Sequence, residues 1–440
     1  MSIWDSLFNR SRTPAPPEPQ HRFGRYTDAY KSKAKHAAYT RAADAFEEHD
    51  FLDSVEAFLE YLSDEAEENV KWQRRGETVY FELYQGSKRV TGLADTAHLR
   101  ASARIARLTT LNGELLQRLT AMNYALKYSR FALDDDDCLT IIFDTPVHDA
   151  SPYKLYYALK EMALRADKQD DLLLHEFEHA LSPVEVTHLA PIPAPEKAVK
   201  LDFLRQHIQS LLDYLDSGQL DPQEHPGAVA YLLLDLVYRL DYLLTPEGYT
   251  MEALERMHRM YFAREDAQSV NHKNERLLDE LQQLLERAPE DFGEELYAGK
   301  STFGITLPVS HDRLATLINN ELPNLDWYQD NGYPEVACAI PGYIVGYALF
   351  NYAIPLPDRA LLHLYYRVTE EAYFLQLGFT ERYLDKAGRP NKRSIRSAVN
   401  RIVKQHEEAF PWFSPDTSEL SYANLLEFSQ TYLEMVKTSG

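Results

Sequence analysis

Apolar residues recur at two different periods along this chain, and the change from one to the other divides it. Phe51, Val55, Phe58 and Leu62 fall at helical spacing behind Asp50, a residue suited to cap a helix. Residues 26–49 read as a polar helix before it. The period then drops to two. Val79, Phe81 and Leu83 alternate with Tyr80, Glu82 and Tyr84, and Gly86-Ser87 turns the chain into a second strand through Val90. A third strand alternates Ala101, Ala103 and Ile105 with Arg100, Ser102 and Arg104. Residues 111–122 read as a helix on Leu115, Leu116 and Leu119. Tyr124, Leu126 and Tyr128 open another strand, Asp134–Asp137 make a turn, and Leu139, Ile141 and Phe143 return. Ser151-Pro152 starts a long helix whose apolar stripe runs from Leu155 through Leu159, Met162, Ala166, Leu173 and Phe177 to Leu181, and Ser182-Pro183 ends it.

Helix, three strands, helix, two strands, helix, with short turns between strands, predicts an antiparallel sheet with helices on one face. This α+β domain covers residues 24–190. The proline-rich joint Ala190-Pro-Ile-Pro-Ala-Pro195 follows, and residues 196–440 read as an all-α domain. Its helices are expected near 203–215, 227–244, 250–263, 270–287, 311–322, 335–353, 357–377, 392–409 and 418–436. Pro226-Gly-Ala-Val-Ala-Tyr231 and Pro341-Gly-Tyr-Ile-Val-Gly-Tyr347 are faintly alike, a match that chance accounts for in a helix-rich chain.

Residues 1–23 stand apart. Ile3, Trp4, Leu7 and Phe8 gather on one side of a short amphipathic segment, and residues 11–22 form a proline-rich tether. Each large side chain gains about 1.5–3 kcal/mol when buried. Trp4, Leu7 and Phe8 are therefore expected to bind an apolar groove on this chain or on a partner subunit.

The order of elements over about residues 42–185, with Tyr80-Phe-Glu-Leu-Tyr84 and Ser151-Pro-Tyr-Lys-Leu-Tyr-Tyr-Ala158, resembles class I type III secretion chaperones and the related YbjN-like sensory-regulator family. The resemblance implies a small antiparallel sheet carrying helices, binding of extended segments of other proteins, and a homodimer. It involves no catalytic signature and leaves the helical domain unassigned.

Charge narrows the field. The 440 residues carry 46 Lys and Arg against 68 Asp and Glu, a net charge of −22. Such a surface repels phosphate backbones, so no nucleic-acid partner is expected. No apolar run approaches the roughly 18 residues of a membrane span. The start carries Asp5 and no long apolar core, unlike a signal peptide. Cys138 and Cys338 cannot build a disulfide framework and read as buried, reduced residues of a cytoplasmic protein.

Four segments invite chemistry. His175-Glu176-Phe177-Glu178-His179 matches the zinc-peptidase pattern, in which two histidines one helical turn apart grip the metal and the glutamate activates water. Glu185 stands where a third ligand would be, with Pro183 between. The core stripe through Leu173 and Phe177 instead places both histidines on the wet face, beside Asp171 and Glu178 at a helix C-terminus. Gly299-Lys300-Ser301-Thr302 looks like the tail of a phosphate loop, but Glu294 replaces the required glycine, leaving a loop or helix cap. Asp134–Asp137 lacks the ligand spacing of a calcium loop. Arg389-Pro-Asn-Lys-Arg-Ser-Ile-Arg396, continuing to Arg401 and Lys404, reads as the wet side of a helix that buries Ile395, Val399 and Ile402. With no complete catalytic constellation and no cofactor expected, the reading is a non-enzymatic protein-binding module, chaperone-like or regulatory. The alternative is a zinc-dependent metallohydrolase with Glu176 as base and His175, His179 and Glu185 as ligands.

Overall fold

Ser32 starts the first helix by accepting a hydrogen bond from the Lys35 amide at 3.3 Å. Helix α1 (Lys33–Glu47) therefore begins well after the expected residue 26. It pairs with α2 (Phe51–Leu62), and the Ser54 hydroxyl donates to the Ala42 carbonyl across the hairpin at 2.7 Å. Asp50 stands just before α2, but its side chain makes no capping bond. The computed structural model describes residues 18–184, 189–263 and 268–440. Trp4, Leu7, Phe8 and Glu185 lie outside the described residues.

Four strands follow where three are expected: β1 (Val70–Arg75), β2 (Thr78–Gln85), β3 (Lys88–Ala94) and β4 (His98–Leu108). Helix α3 (Gly113–Ala125) is capped by Asn112, whose side-chain oxygen accepts from Leu115 at 2.8 Å. The strand expected from Tyr124 begins later, as β5 (Arg130–Leu133), and pairs with β6 (Cys138–Pro146). The cause is Glu161, whose carboxylate accepts the amides of Lys127, Tyr128 and Ser129 at 2.8, 2.9 and 3.0 Å and fixes that stretch as a turn. The Asp134–Asp137 turn forms as read, held by Asp134 Oδ1 on the amides of Asp136 and Cys138 at 3.0 and 2.9 Å.

Helix α4 (Pro152–Glu176) starts at the Ser151 cap but ends before Ser182, and β7 (Leu181–Pro183) then pairs with β4. The sheet is antiparallel in the order β1-β2-β3-β4-β6-β5, with β7 beside β4. One face packs Leu83, Ile105 and Ile141 against Leu159 and Met162 of α4 and Phe58 of α2.

Among the described residues, twelve helices make up most of the rest: α5 (Ala194–Asp216), α6 (Pro226–Leu244), α7 (Gly248–Phe262), α8 (Val270–Glu286), α9 (Pro289–Glu294), α10 (His311–Glu321), α11 (Asn324–Asp330), α12 (Pro334–Asn351), α13 (Leu356–Thr369), α14 (Glu371–Gln376), α15 (Lys392–His406) and α16 (Leu425–Lys437). Two short strand pairs punctuate them. β8 (Ala190–Pro191) meets β9 (Tyr297–Ala298), and β10 (Leu307–Pro308) meets β11 (Tyr352–Ala353). Helices α6 and α12 form the centre, where Gly342 and Gly346 allow close approach. A Cβ on Gly342 would lie 2.2 Å from Asp235 Oδ1, and one on Gly346 would lie 2.5 Å from Tyr238 Cβ. The two Pro-Gly segments are not structurally equivalent: Pro226 opens α6, whereas Pro341 lies inside α12. No helix among the described residues is long and apolar enough to cross a membrane.

The helical core is separate from the sheet core, with one exception. Phe303, from the loop after β9, is buried in the sheet core, edge-on to Tyr156 with ring centres 5.7 Å apart.

Candidate functional site

The outward face of the sheet is built from every second residue of its strands. Strand register sets these side chains in two rows. One runs Gln73, Tyr80, Leu93, Arg100 and Asp144; the next runs Lys71, Glu82, Thr91, Ser102, Ile142 and Arg130. The inward residues satisfy the core, so the outward ones are free to be chemical. Tyr80 and Leu93 make an apolar floor on one side of Arg100, and Ile142 lies on its other side, between Arg100 and Arg130, in a groove of about 600 Å³. Tyr80, Arg100, Arg104 and Arg130 are exposed.

This face is rich in cations within an acidic chain. Arg130 pairs with Asp144 at 2.5 Å and Arg104 with Asp134 at 2.7 Å, while Arg89 reaches Glu82 only at 3.7 Å. Arg100, at the centre, makes no ion pair among the described residues. Lys71 and Arg75 lie over the rings of Tyr84 and Tyr80 at 5.5 and 5.9 Å. Exposed ion pairs of this kind contribute little to stability, so the arginines are not explained by holding the sheet together. The outer strand β1 also carries Lys71, Arg74 and Arg75, charges that keep an open edge from pairing with another strand.

A strap fixes the sheet against the helices. Residues 18–31 run along the helical part before entering α1. Gly24 donates its amide to Tyr242 O at 2.8 Å, and Arg359 donates to the carbonyls of Phe23 and Arg25 at 3.3 and 3.0 Å. Arg25 grips Asp241 at 2.7 and 3.1 Å and Glu255 at 2.8 Å. Lys168 of α4 reaches Glu252 and Glu255 of α7 at 2.6 and 2.8 Å, joining sheet domain to helices through the same carboxylate. Burial acts to raise the Glu255 pKa, but Arg25 and Lys168 outweigh it and hold the group at about 2. These groups line a cavity of about 520 Å³ at the junction. Its wall also includes Lys200, whose pKa burial lowers despite a 3.3 Å pair with Glu196.

The zinc-like motif takes a different course from the one its spacing suggests. Helix α4 ends at Glu176, and Phe177 leaves helical geometry at φ −127° and ψ 42°. His179 therefore does not share a helical face with His175. His179 is almost fully exposed near Glu178, His175 lies 6.2 Å from the Tyr249 ring, and Glu176 pairs with Arg118 at 3.1 Å. Among the described residues, no three His, Cys, Asp or Glu side chains are grouped to hold a metal ion.

The phosphate-loop look-alike is part of the junction. Lys300 O accepts the Gly86 amide at 2.9 Å, the Thr302 hydroxyl donates to Tyr84 O at 2.8 Å, and Gln85 Oε1 accepts the amides of Thr302 and Phe303 at 3.2 and 3.0 Å. The basic stretch forms α15, which buries Ile395 and Val399 and leaves Arg393 and Arg396 in water. Cys138 is buried as expected, but Cys338 is exposed, because its turn of α12 faces an opening between helices.

The alternation that marks the strands in the sequence buries one half of their residues and turns the other half outward. Arg100, Arg104 and Arg130 on the outward positions were the available signal. The junction residues Arg25, Lys168 and Glu255 carry no comparable signal, since their pairing depends on contacts between distant segments. Compared with models of known protein families and with curated proteins, the chain matches none.

Proposed function

We propose that the protein is a non-enzymatic binding module, chaperone-like or regulatory, whose N-terminal sheet holds an extended acidic segment of a partner protein on its uncovered face. The observation that carries this reading is the row of Tyr80, Leu93 and Arg100 beside Ile142 and Arg130, apolar positions on both sides of an arginine that no helix among the described residues covers. An extended segment turns every second side chain toward the sheet, so within that set an apolar residue can meet the floor while acidic ones meet Arg100 and Arg130. The resemblance to type III secretion chaperones and YbjN-like proteins supports the same use of a one-sided sheet. A homodimer through this domain is the alternative occupant of that face. It would set arginine rows against each other, which favours an acidic partner instead.

Amide hydrogen exchange tests this reading with a peptide in which glutamate and leucine take turns at every second position, with serine between, about six to ten residues long, the length of a strand. Protection confined to β2, β3, β4 and β6 supports it. An unchanged pattern at saturating peptide, or protection elsewhere only, contradicts it.

A further inference from the structure

Helices α5, α6, α12, α13 and α16 surround a cavity of about 390 Å³ that neither the sheet face nor the strap uses. The charged groups in its lining are paired with one another: Arg239 bridges Asp235 and Glu370 at 2.5 and 2.8 Å. The wall, rather than charge, therefore sets what fits. Leu211 of α5, Leu232 and Leu236 of α6, Ala339 of α12, and Leu425 and Leu426 of α16 line it. Leu425 and Leu426 are only half-buried, and Glu335 and Cys338 of α12 are exposed beside them. An apolar wall left open to water suits an apolar occupant.

The chain itself carries one. Seventeen residues precede the first described one, and the point at which they leave is fixed. Glu18 holds Arg367 of α13 at 3.1 and 3.3 Å, and Thr369, two residues further along, lines the cavity. The exit therefore lies about 10–12 Å from the cavity, one helix diameter. Residues 9–17, with Pro14, Pro16 and Pro17, reach about 28 Å when extended. Ahead of them stand Trp4, Leu7 and Phe8, whose spacing sets them on one side of a helical turn.

The junction cavity is the other one within reach. The strap residues from Gln20 to Tyr26 already line it, and the ion pairs of Arg25, Lys168 and Lys200 crowd its wall. An indole seated there would strip those charges of water and return no hydrogen bond to most of them.

We propose that residues 1–10 of this chain dock in the cavity between α5, α6, α12, α13 and α16, with Trp4 against the leucine wall and Leu7 and Phe8 beside it. Glu335 stands ready to accept the indole N–H, the one polar group that a buried tryptophan must satisfy. The docked segment covers Cys338.

Cys338 reads the cavity, because it is exposed in the lining while Cys138 is fully buried. Maleimide labelling of the native full chain is compared with labelling of Trp4→Ala and of a chain lacking residues 1–10. A covered thiol reacts only in the undocked population, so the deletion should speed labelling by about fivefold or more, and Trp4→Ala by a smaller factor. A synthetic peptide of residues 1–10, added to the shortened chain, should restore protection saturably. The same peptide carrying Trp4→Ala should not. Leu425→Gln, on the half-buried wall, should speed labelling of the full chain and leave the shortened chain unchanged; the peptide decides the matter if that variant misfolds. Equal rates in full and shortened chains, or equal protection by both peptides, would overturn the proposal. So would protection that grows with protein concentration, which would put the segment in the cavity of a second copy.

Discussion

Arg25 and Glu255 meet at 2.8 Å, although 230 residues separate them in sequence. Lys168 shares that carboxylate, so one glutamate joins the strap, the sheet domain and the helices. Its depressed pKa fixes a pH window. The unfolded chain protonates it near the usual glutamate value of about 4.3, whereas the folded protein holds the charge down to about 2. The stabilisation is present in full above the unfolded value and is lost as pH falls from there through the folded one. By linkage it amounts to about 3 kcal/mol. Urea unfolding across pH should show Glu255→Gln costing stability at pH 7 and almost nothing near pH 2. An equal cost at both would contradict the ion-pair account.

Phe303 belongs to the helical part by sequence and to the sheet core by packing. Phe303→Ala should destabilise the sheet domain by about 3–5 kcal/mol, the usual cost of truncating a buried phenylalanine. A fragment of residues 24–190 should still unfold cooperatively, because it keeps its own core, but with lower stability than in the full chain. Far-ultraviolet circular dichroism with urea measures both. A fragment as stable as the domain within the full chain would show that the loop contributes nothing.

Gly342 is required where it stands. A Cβ there would lie 2.2 Å from Asp235 Oδ1, whose carboxylate is held by Arg239. Gly342→Ala should therefore cost about 1–3 kcal/mol by overpacking. Gly227 is the control, since the nearest atom to its Cβ would be the Tyr328 hydroxyl at 3.7 Å. Gly227→Ala should be neutral or stabilising by up to about 1 kcal/mol. Thermal unfolding of the pair checks the contrast.

Strong local patterns were legible in the sequence. The Ser151-Pro152 start, the Asp134–Asp137 turn and the positions of α6, α7, α8, α12 and α15 follow from caps, turn residues and apolar spacing. β1 leaves little trace in the sequence, because Val70 and Trp72 alternate over too few residues before Arg74 and Arg75. The strand after α3 begins later than its pattern suggests, because Tyr124, Leu126 and Tyr128 imitate alternation, while Glu161, some thirty residues away, imposes the turn. α4 ends earlier than its stripe suggests, because Leu181 continues the spacing but belongs to β7. The strap and the Asp235 network are tertiary in origin. Their partners are brought together by helix packing, which no local window encodes.

The metal question has its own measurement. Because α4 stops at Glu176, His175 and His179 do not form the one-face grip that zinc peptidases need. Elemental analysis of purified protein should find no stoichiometric zinc, and His175→Ala should change neither metal content nor stability by more than about 0.5 kcal/mol, as at other surface positions. One tightly held zinc per chain, lost on that substitution, would restore the hydrolase reading.

The sheet face is tested most directly by fluorescence anisotropy of the labelled glutamate–leucine peptide, titrated with the wild-type chain and with the Arg100→Glu, Arg130→Glu double variant. Light scattering on the same samples reports whether a homodimer occupies the face instead. Saturable binding is expected, weakening as salt rises from about 50 to 200 mM, where screening shortens the reach of charge. The variant should bind at least roughly tenfold more weakly. No binding by the wild type, or equal binding by both chains, would contradict it.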